Sequence, residues 1–382
     1  MSVIFSIGVR IPGEGMGNHG YNTAEGLDRH HLLQRALVMQ YHGHGIDRSK
    51  VTTFYTLERI TFRLSRYTGL DKYVLRDNLF DWWISHQLER EHAKVFYGWN
   101  HIALWSIMQS KRLDMITILE RANSHPLTYT RLLADEYKKH DIPHAPYHSL
   151  TLKKHLKEIE ETDYIAVTSE FTKESLLEHG IDEQRILLTP LGVDTHVFTP
   201  APIIEQDGIF KVVYIGQLCL RKGVQYLLEA WQKLQLQHAN LVLIGDLVDN
   251  LEELLHGHLQ QSRTISVRPH TTDPFKAYRE ASVFILPSLE DGFGLVVLEA
   301  MACGIPVIIT EQTGAKDCVR HETDGFIIPP YSVESIADTL LYCYNNQSKL
   351  KRMGKHARQQ AEKYPWKRYQ DSIVGHIKHI ID

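Results

Sequence analysis

Cysteine is scarce in this chain: four residues, Cys219, Cys303, Cys318 and Cys343, with no CxxC pair among them. That spacing excludes a paired zinc or thioredoxin-type motif. A chain of 382 residues can also hold itself together by burial alone, so free thiols in a reducing compartment are expected. Long hydrophobic runs are lacking too. No stretch reaches the roughly 18 apolar residues of a spanning helix. Residues 1–8 read as a buried first strand, without the basic flank or apolar length of a signal peptide. Charge imbalance is missing as well: a formal net charge of -4 gives no overall ground for a nucleic-acid partner. A cytoplasmic protein is expected. The 23 histidines raise the question of a metal. There is, however, no helical HExxH and no Asp-x-Asp of the kind that holds a divalent cation on a sugar diphosphate. His42 and His44 could share one face of a strand. Pro143 and Pro146 break the helix that would align His140, His144 and His148. No metal site is expected.

What remains is ordinary globular composition, 43% hydrophobic and 23% charged. In the second half, short apolar runs (211–216, 240–244, 264–267, 283–286, 306–310 and 325–330) alternate with amphipathic segments at 224–231, 275–281 and 295–302. Two further helical segments close the chain. The first half shows the same alternation more faintly, with candidate strands at 2–7, 36–41, 95–97, 115–119 and 164–167. Such alternation indicates parallel, doubly wound sheets. The proline-rich stretch from Pro190 to Pro202, with polar residues to Gly208, reads as a linker between two domains.

The strongest motif is Leu286-Pro-Ser-Leu-Glu-Asp-Gly-Phe-Gly-Leu-Val-Val-Leu-Glu299. A strand ends, and Glu290 and Asp291 sit on the turn. Gly292 and Gly294 flank Phe293 and let backbone approach a ligand closely. A helix then begins at Leu295 with unpaired N–H groups, a geometry suited to a phosphate or diphosphate. Glu299 follows about one helical turn later, in reach of a ribose or sugar hydroxyl. A glycine turn that merely packs a helix on a sheet is the bland alternative. The acids on both sides argue against it.

This stretch resembles the family 4 retaining glycosyltransferases (glycosyl transferases group 1) of the GT-B fold, whose hallmark is two glutamates with seven residues between them, around Gly-Phe-Gly. Alignment on Gly292–Gly294 puts the second acid at Glu299 and the first at Asp291, one methylene shorter than usual, with Glu290 as a possible substitute. Gly216, Arg221, Lys222 and Gly223 resemble the family's strand end and Lys-Gly pair. Lys222 then stands at the lysine that neutralises the donor diphosphate, and Gln217 replaces the usual arginine. Leu241–Asp246, Thr313–Asp317, Gly325–Pro330 and Lys363–Trp366 extend the resemblance across residues 162–366. In the first half, Gly13-Glu-Gly-Met-Gly-Asn18 stands where the family carries a glycine pair against the diphosphate. Gly15 and Gly17 are the candidates there, with Glu14 turned toward acceptor or solvent. Gly20 completes a GxGxxG spacing, but no tight-turn helix is read after it. His125, after the 115–119 strand, is the candidate for the family's sugar-binding histidine; a loop or capping role is its alternative.

The resemblance implies an α/β GT-B fold of two Rossmann-like doubly wound domains facing across a cleft. Residues 1–195 would bind acceptor and residues 196–364 the nucleotide sugar, with 365–382 crossing back to the first domain. It implies a retaining, metal-independent hexosyltransferase-like enzyme. Such an enzyme needs no cofactor and moves sugar from a UDP- or GDP-sugar to a glycan, lipid-linked or small-molecule acceptor. Lys222, Asp291, Glu299 and His125 would be its catalytic groups, and backbone around residues 267–270 would meet the base. A nucleotide-sugar epimerase of the same fold and a non-catalytic binding protein stay as alternatives. Arg59, Arg63 and Arg66 share a helical face that would suit weak peripheral contact with an acidic membrane. A solvated basic face is the plainer reading.

Overall fold

The computed structural model describes residues 2–54, 72–142, 147, 149–200, 208–248, 251–271 and 273–381. The Arg59, Arg63 and Arg66 face, Pro143, His144, Pro146, His148 and residues 201–207 of the expected linker lie outside them. Two sheets form, each wholly parallel. The first has seven strands: β1 (Val3–Ile11), β2 (Leu33–Tyr41), β3 (Val51–Thr53), β4 (Val95–Trp99), β5 (Ile116–Arg121), β6 (Tyr164–Val167) and β7 (Ile186–Leu188), in spatial order 3-2-1-4-5-6-7. The second has six: β8 (Phe210–Ile215), β9 (Ala239–Ile244), β10 (Ile265–Arg268), β11 (Val283–Leu286), β12 (Val307–Thr310) and β13 (Gly325–Ile328), in order 10-9-8-11-12-13. Because helices cover both faces, central strands such as β11 and β12 are buried at every position and read as continuous apolar runs.

The second-sheet strands fall within a residue or two of the expected runs. β1 ends four residues later than expected. β3 and β7 were not expected at all: each is a three-residue edge strand, too short to display any period.

The last helix, Trp366–Ile381, buries Tyr369, Ile373, Val374 and Ile377. It lies on the Met16–Arg29 helix of the first sheet, where Tyr369 meets Thr23 (2.7 Å) and His19 (2.8 Å), and Arg29 donates to Gln370 (2.8 Å). The chain therefore crosses between the two sheet units twice, and the crossings touch. Val193 N–H donates to the Tyr364 carbonyl (2.8 Å), and a side chain on Gly192 would stand 2.6 Å from the Trp366 backbone.

Beneath this returning helix the first unit keeps a polar pocket. Glu120 is fully buried; Tyr97 donates its hydroxyl to one oxygen, while the other has no hydrogen-bond partner. Burial pushes the Glu120 carboxyl up to about 8, the Tyr97 hydrogen bond offsetting this only in part. A carboxyl whose folded pKa exceeds its ordinary 4.5 favours the folded state least when ionised, so stability should fall as pH rises between those values. Glu120→Gln is accordingly expected to change the melting midpoint little at pH 5 and to raise it at pH 8. An equal shift at both pH values would show that buried charge is not what the residue carries.

Candidate functional site

In an open parallel sheet the order reverses beside one strand, and the loops leaving either side of that point diverge to leave a crevice at the carboxyl ends. Here the reversals lie between β1 and β4 and between β8 and β11. Loops from both points face one another across a cleft of about 2070 Å³. Its lining includes Glu14 and Gly15 after β1, Asn100 and His101 after β4, Gly216 and Gln217 after β8, and Asp291 and Phe293 after β11.

The helix Leu295–Ala302 starts on this cleft. Gly294 adopts φ +83°, a left-handed turn that a side chain would strain. No side chain caps the helix, so the first-turn N–H groups of Leu295 and Val296, which line the cleft, are available to an anion. Lys222 lies beside it on a short 3-10 turn (Leu220–Lys222), its ammonium ion-paired with Asp291 on the turn that leads into the helix. Burial disfavours charge on Asp291, but Lys222, Arg221 and the Phe293 N–H outweigh it and hold the carboxyl below the usual range. One turn into the helix, Glu299 accepts from the Tyr278 hydroxyl (3.0 Å). Burial pushes the Glu299 carboxyl up to about 7; the Tyr278 hydrogen bond opposes this and the nearby Glu14 charge adds to it.

The structure thus brings Lys222, Arg221, Gln217, Gly216, Asp291, Phe293, Gly294, Leu295, Glu299 and Gly15 to one cleft. Other expected site residues it places elsewhere. Glu290 is fully buried and turned into the contact between the two sheet units. It accepts from Ser124 N–H (2.9 Å) and hydroxyl (3.0 Å) and from Asn123 (3.1 Å), with the Arg221 guanidinium 3.6 Å away. Gly292 does give close backbone approach, but to protein: a side chain there would stand 1.9 Å from the Ala122 carbonyl oxygen. The Gly292 carbonyl accepts from the hydroxyls of Ser169 (2.6 Å), Thr172 (3.3 Å) and Thr168 (3.4 Å).

In the first unit a helix does begin at Met16, directly after Gly15, contrary to the expectation of no tight-turn helix. Gly17 is not at the cleft surface; it packs that helix on β1, where a side chain would meet the Arg10 carbonyl at 2.6 Å. Glu14 is exposed on the cleft, as expected, and its carboxylate meets the His270 ring there. His125 is the N-cap of the helix Pro126–Lys139 and accepts from Leu127 N–H (3.3 Å). It stacks on His179, and burial, with His179 and Arg121 nearby, lowers it to about 3. The cap is the alternative role that the sequence left open for it. Sequence reading passed over Asn123, His101, His155 and Tyr278, which do line or support the cleft. Among the described residues no group of three or more His, Cys, Asp or Glu could hold a metal ion, and no helix is long and apolar enough to cross a membrane.

Residues 201–360 match the family model described as Glycosyl transferases group 1. The chain is 29% identical over 241 residues to a D-inositol 3-phosphate glycosyltransferase of Pseudarthrobacter chlorophenolicus, covering 57% of each. It is 30% identical over 157 residues to the capsular polysaccharide biosynthesis glycosyltransferase CapM of Staphylococcus aureus, covering 40% of this chain and 41% of that one. The chain spans about half the length of these curated relatives. Among solved structures, sucrose-phosphate synthase from Thermosynechococcus elongatus superposes with TM-score 0.74 at 17% identity, covering 100% of this chain and 99% of that one. Anabaena HepE, solved in complex with UDP and glucose, superposes with TM-score 0.72 at 14% identity over 99% of each. The fold is GT-B, two Rossmann-like units facing across a cleft.

Proposed function

We propose, from the match of residues 201–360 to the glycosyl transferases group 1 model, that the chain transfers a sugar from a UDP- or GDP-sugar to a glycan, lipid-linked or small-molecule acceptor. The reading rests on one observation: an uncapped helix start, a lysine and two carboxylates meet on one wall of an inter-unit cleft. The N–H groups at Leu295 and Val296 and the Lys222 ammonium would hold the diphosphate, with Glu299 on the ribose. In the free protein Lys222 is engaged by Asp291. Donor binding would move the ammonium to the diphosphate and release Asp291 to accept from hydroxyls of the transferred sugar. The leaving diphosphate would depart on the face from which the acceptor attacks, through an oxocarbenium-like state, so the anomeric configuration is retained. Lys222 and the helix start supply the charge stabilisation for which other enzymes use a metal. The acceptor would enter from the side lined by the first unit, and closure of the units would complete the site.

A thermal-shift series with uridine, guanosine and adenosine diphosphates and their sugars is the direct test. One base should raise the melting midpoint, by an amount that grows with the logarithm of its affinity. No shift with any of them would sink the reading. Glu299 adds a second signature. With its carboxyl at about 7 in the free protein, the charged and stronger acceptor for ribose hydroxyls forms as pH rises, so nucleoside affinity should strengthen between about pH 6 and 8. In Glu299→Gln the pH slope should flatten. To keep phosphate ionisation out of the measurement, the slope is read with the free nucleoside. A slope unchanged in the variant would remove Glu299 from the ribose.

A further inference from the structure

We infer that the first-unit wall of the cleft carries an oxyanion site, with His155 and Lys153 as its central donors, for a phosphate or carboxylate borne by the acceptor. This rests on the transferase reading above and names the class of its acceptor.

His155 lies on the helix Ser149–Glu161 and lines the cleft while only 2% exposed. Its Nδ1 faces the Arg121 guanidinium at 3.2 Å. A guanidinium can only donate, so Nδ1 accepts and the ring proton sits on Nε2. That Nε2 is buried and has no hydrogen-bond partner. A buried donor left unpaired is costly, and a ligand oxygen would recover that cost. The ring is also fixed in place, edge-on to Tyr147 (4.7 Å between centroids) and stacked with His101 (5.9 Å). Arg121 behind it polarises the N–H toward whatever enters.

A neutral hydroxyl would satisfy one such donor. The surrounding charge favours an anion. Between residues 74 and 157 the cleft is lined by Arg76, Lys153, Lys154 and Lys157 against a single carboxylate, Asp77. Lys154 is engaged by Asp81 (3.0 Å), Arg76 by Asp77 (2.7 Å), and Lys157 by Glu160 (3.1 Å) and Glu161 (3.0 Å). Lys153 has no ion-pair or hydrogen-bond partner among the described residues. It lies on the same helix as His155, two residues before it, and both line the cleft. The helix also begins at the cleft, at Ser149, and its positive end adds to the same field. An exposed cation, whose long side chain must reach round the helix because residues two apart do not face each other, and a fixed, buried N–H donor together suit an oxyanion.

The test uses the full chain with the donor site filled by saturating nucleoside diphosphate, and follows titration of inorganic phosphate and, separately, acetate by calorimetry. One of the two anions should bind saturably, and which one distinguishes a phosphorylated from a carboxylated acceptor. Lys153→Ala and His155→Phe should each weaken that binding about tenfold or more, as expected for loss of one charge-assisted contact. His155→Gln, which keeps an N–H near the Nε2 position, should restore most of it. Nucleotide affinity should stay unchanged in all three. Should His155→Phe not fold, the exposed Lys153→Ala variant decides alone. Absence of saturable binding by either anion would overturn the proposal. So would binding that Lys222→Ala abolishes and Lys153→Ala leaves intact, since the anion would then sit at the donor diphosphate. Failure of nucleoside diphosphates to bind at all would instead count against the transferase reading, with the Lys153 comparison still readable.

Discussion

Lys222→Ala is expected to lower turnover at saturating donor by about two to three orders of magnitude, the loss typical of removing one preorganised stabiliser of transition-state charge. The same ammonium keeps Asp291 ionised. A carboxyl held below its ordinary 3.8 gives stability that is present above that value and lost as pH falls through the folded one. Without Lys222 that contribution shrinks, so a modest drop in the melting midpoint at neutral pH should accompany the kinetic loss. Rates therefore need normalising to folded protein by circular dichroism. A folded variant that turned over at the parent rate would take Lys222 out of the chemistry.

The second large effect concerns stability. Glu290 lies between the two units, holding Asn123 and Ser124 of one and facing Arg221 of the other. Arg221 also donates to the Glu290 backbone carbonyl (3.0 Å). Removing one partner of a buried ion pair leaves the other desolvated and uncompensated, a loss of about 3–5 kcal/mol. Glu290→Ala should therefore shift urea unfolding to lower midpoint and split it into two transitions as the units uncouple. Glu290→Gln, which can still accept from Ser124, should recover part of the loss. A single transition with a change below about 1 kcal/mol would mean that the carboxylate does not couple the units.

The second sheet was legible because fully buried parallel strands are written as unbroken apolar runs. The Leu295–Ala302 helix was legible because a glycine turn announces its start. The first sheet was fainter: its edge strands β3 and β7 are three residues each, and no period fits in three. At the site the ambiguity was different. A glycine or an acid on a turn looks the same whether the group approaching it is a phosphate or another stretch of backbone. For Gly292 that group is Ala122, and for Glu290 it is Ser124, both more than 160 residues away in sequence. No local pattern can reveal them. The capping alternative for His125 was legible because that chemistry is local: the residue is followed by Pro126 at the first helical position. His155 has its partners on β5 and on the loop after β4, so only the assembled sheet brings its ring to the cleft.

The paired crossings at Val193 and Tyr364 bear on how this chain can be taken apart. The first unit is assembled from two stretches that are remote in sequence, and its Met16–Arg29 helix is covered by the last sixteen-residue helix. A fragment cut after residue 195 would leave His19 and Thr23 without Tyr369 and uncover the apolar face beneath it. Anyone wishing to handle that half alone would have to splice residues 366–381 back onto it, whereas the other half could be excised from between them as one continuous insert.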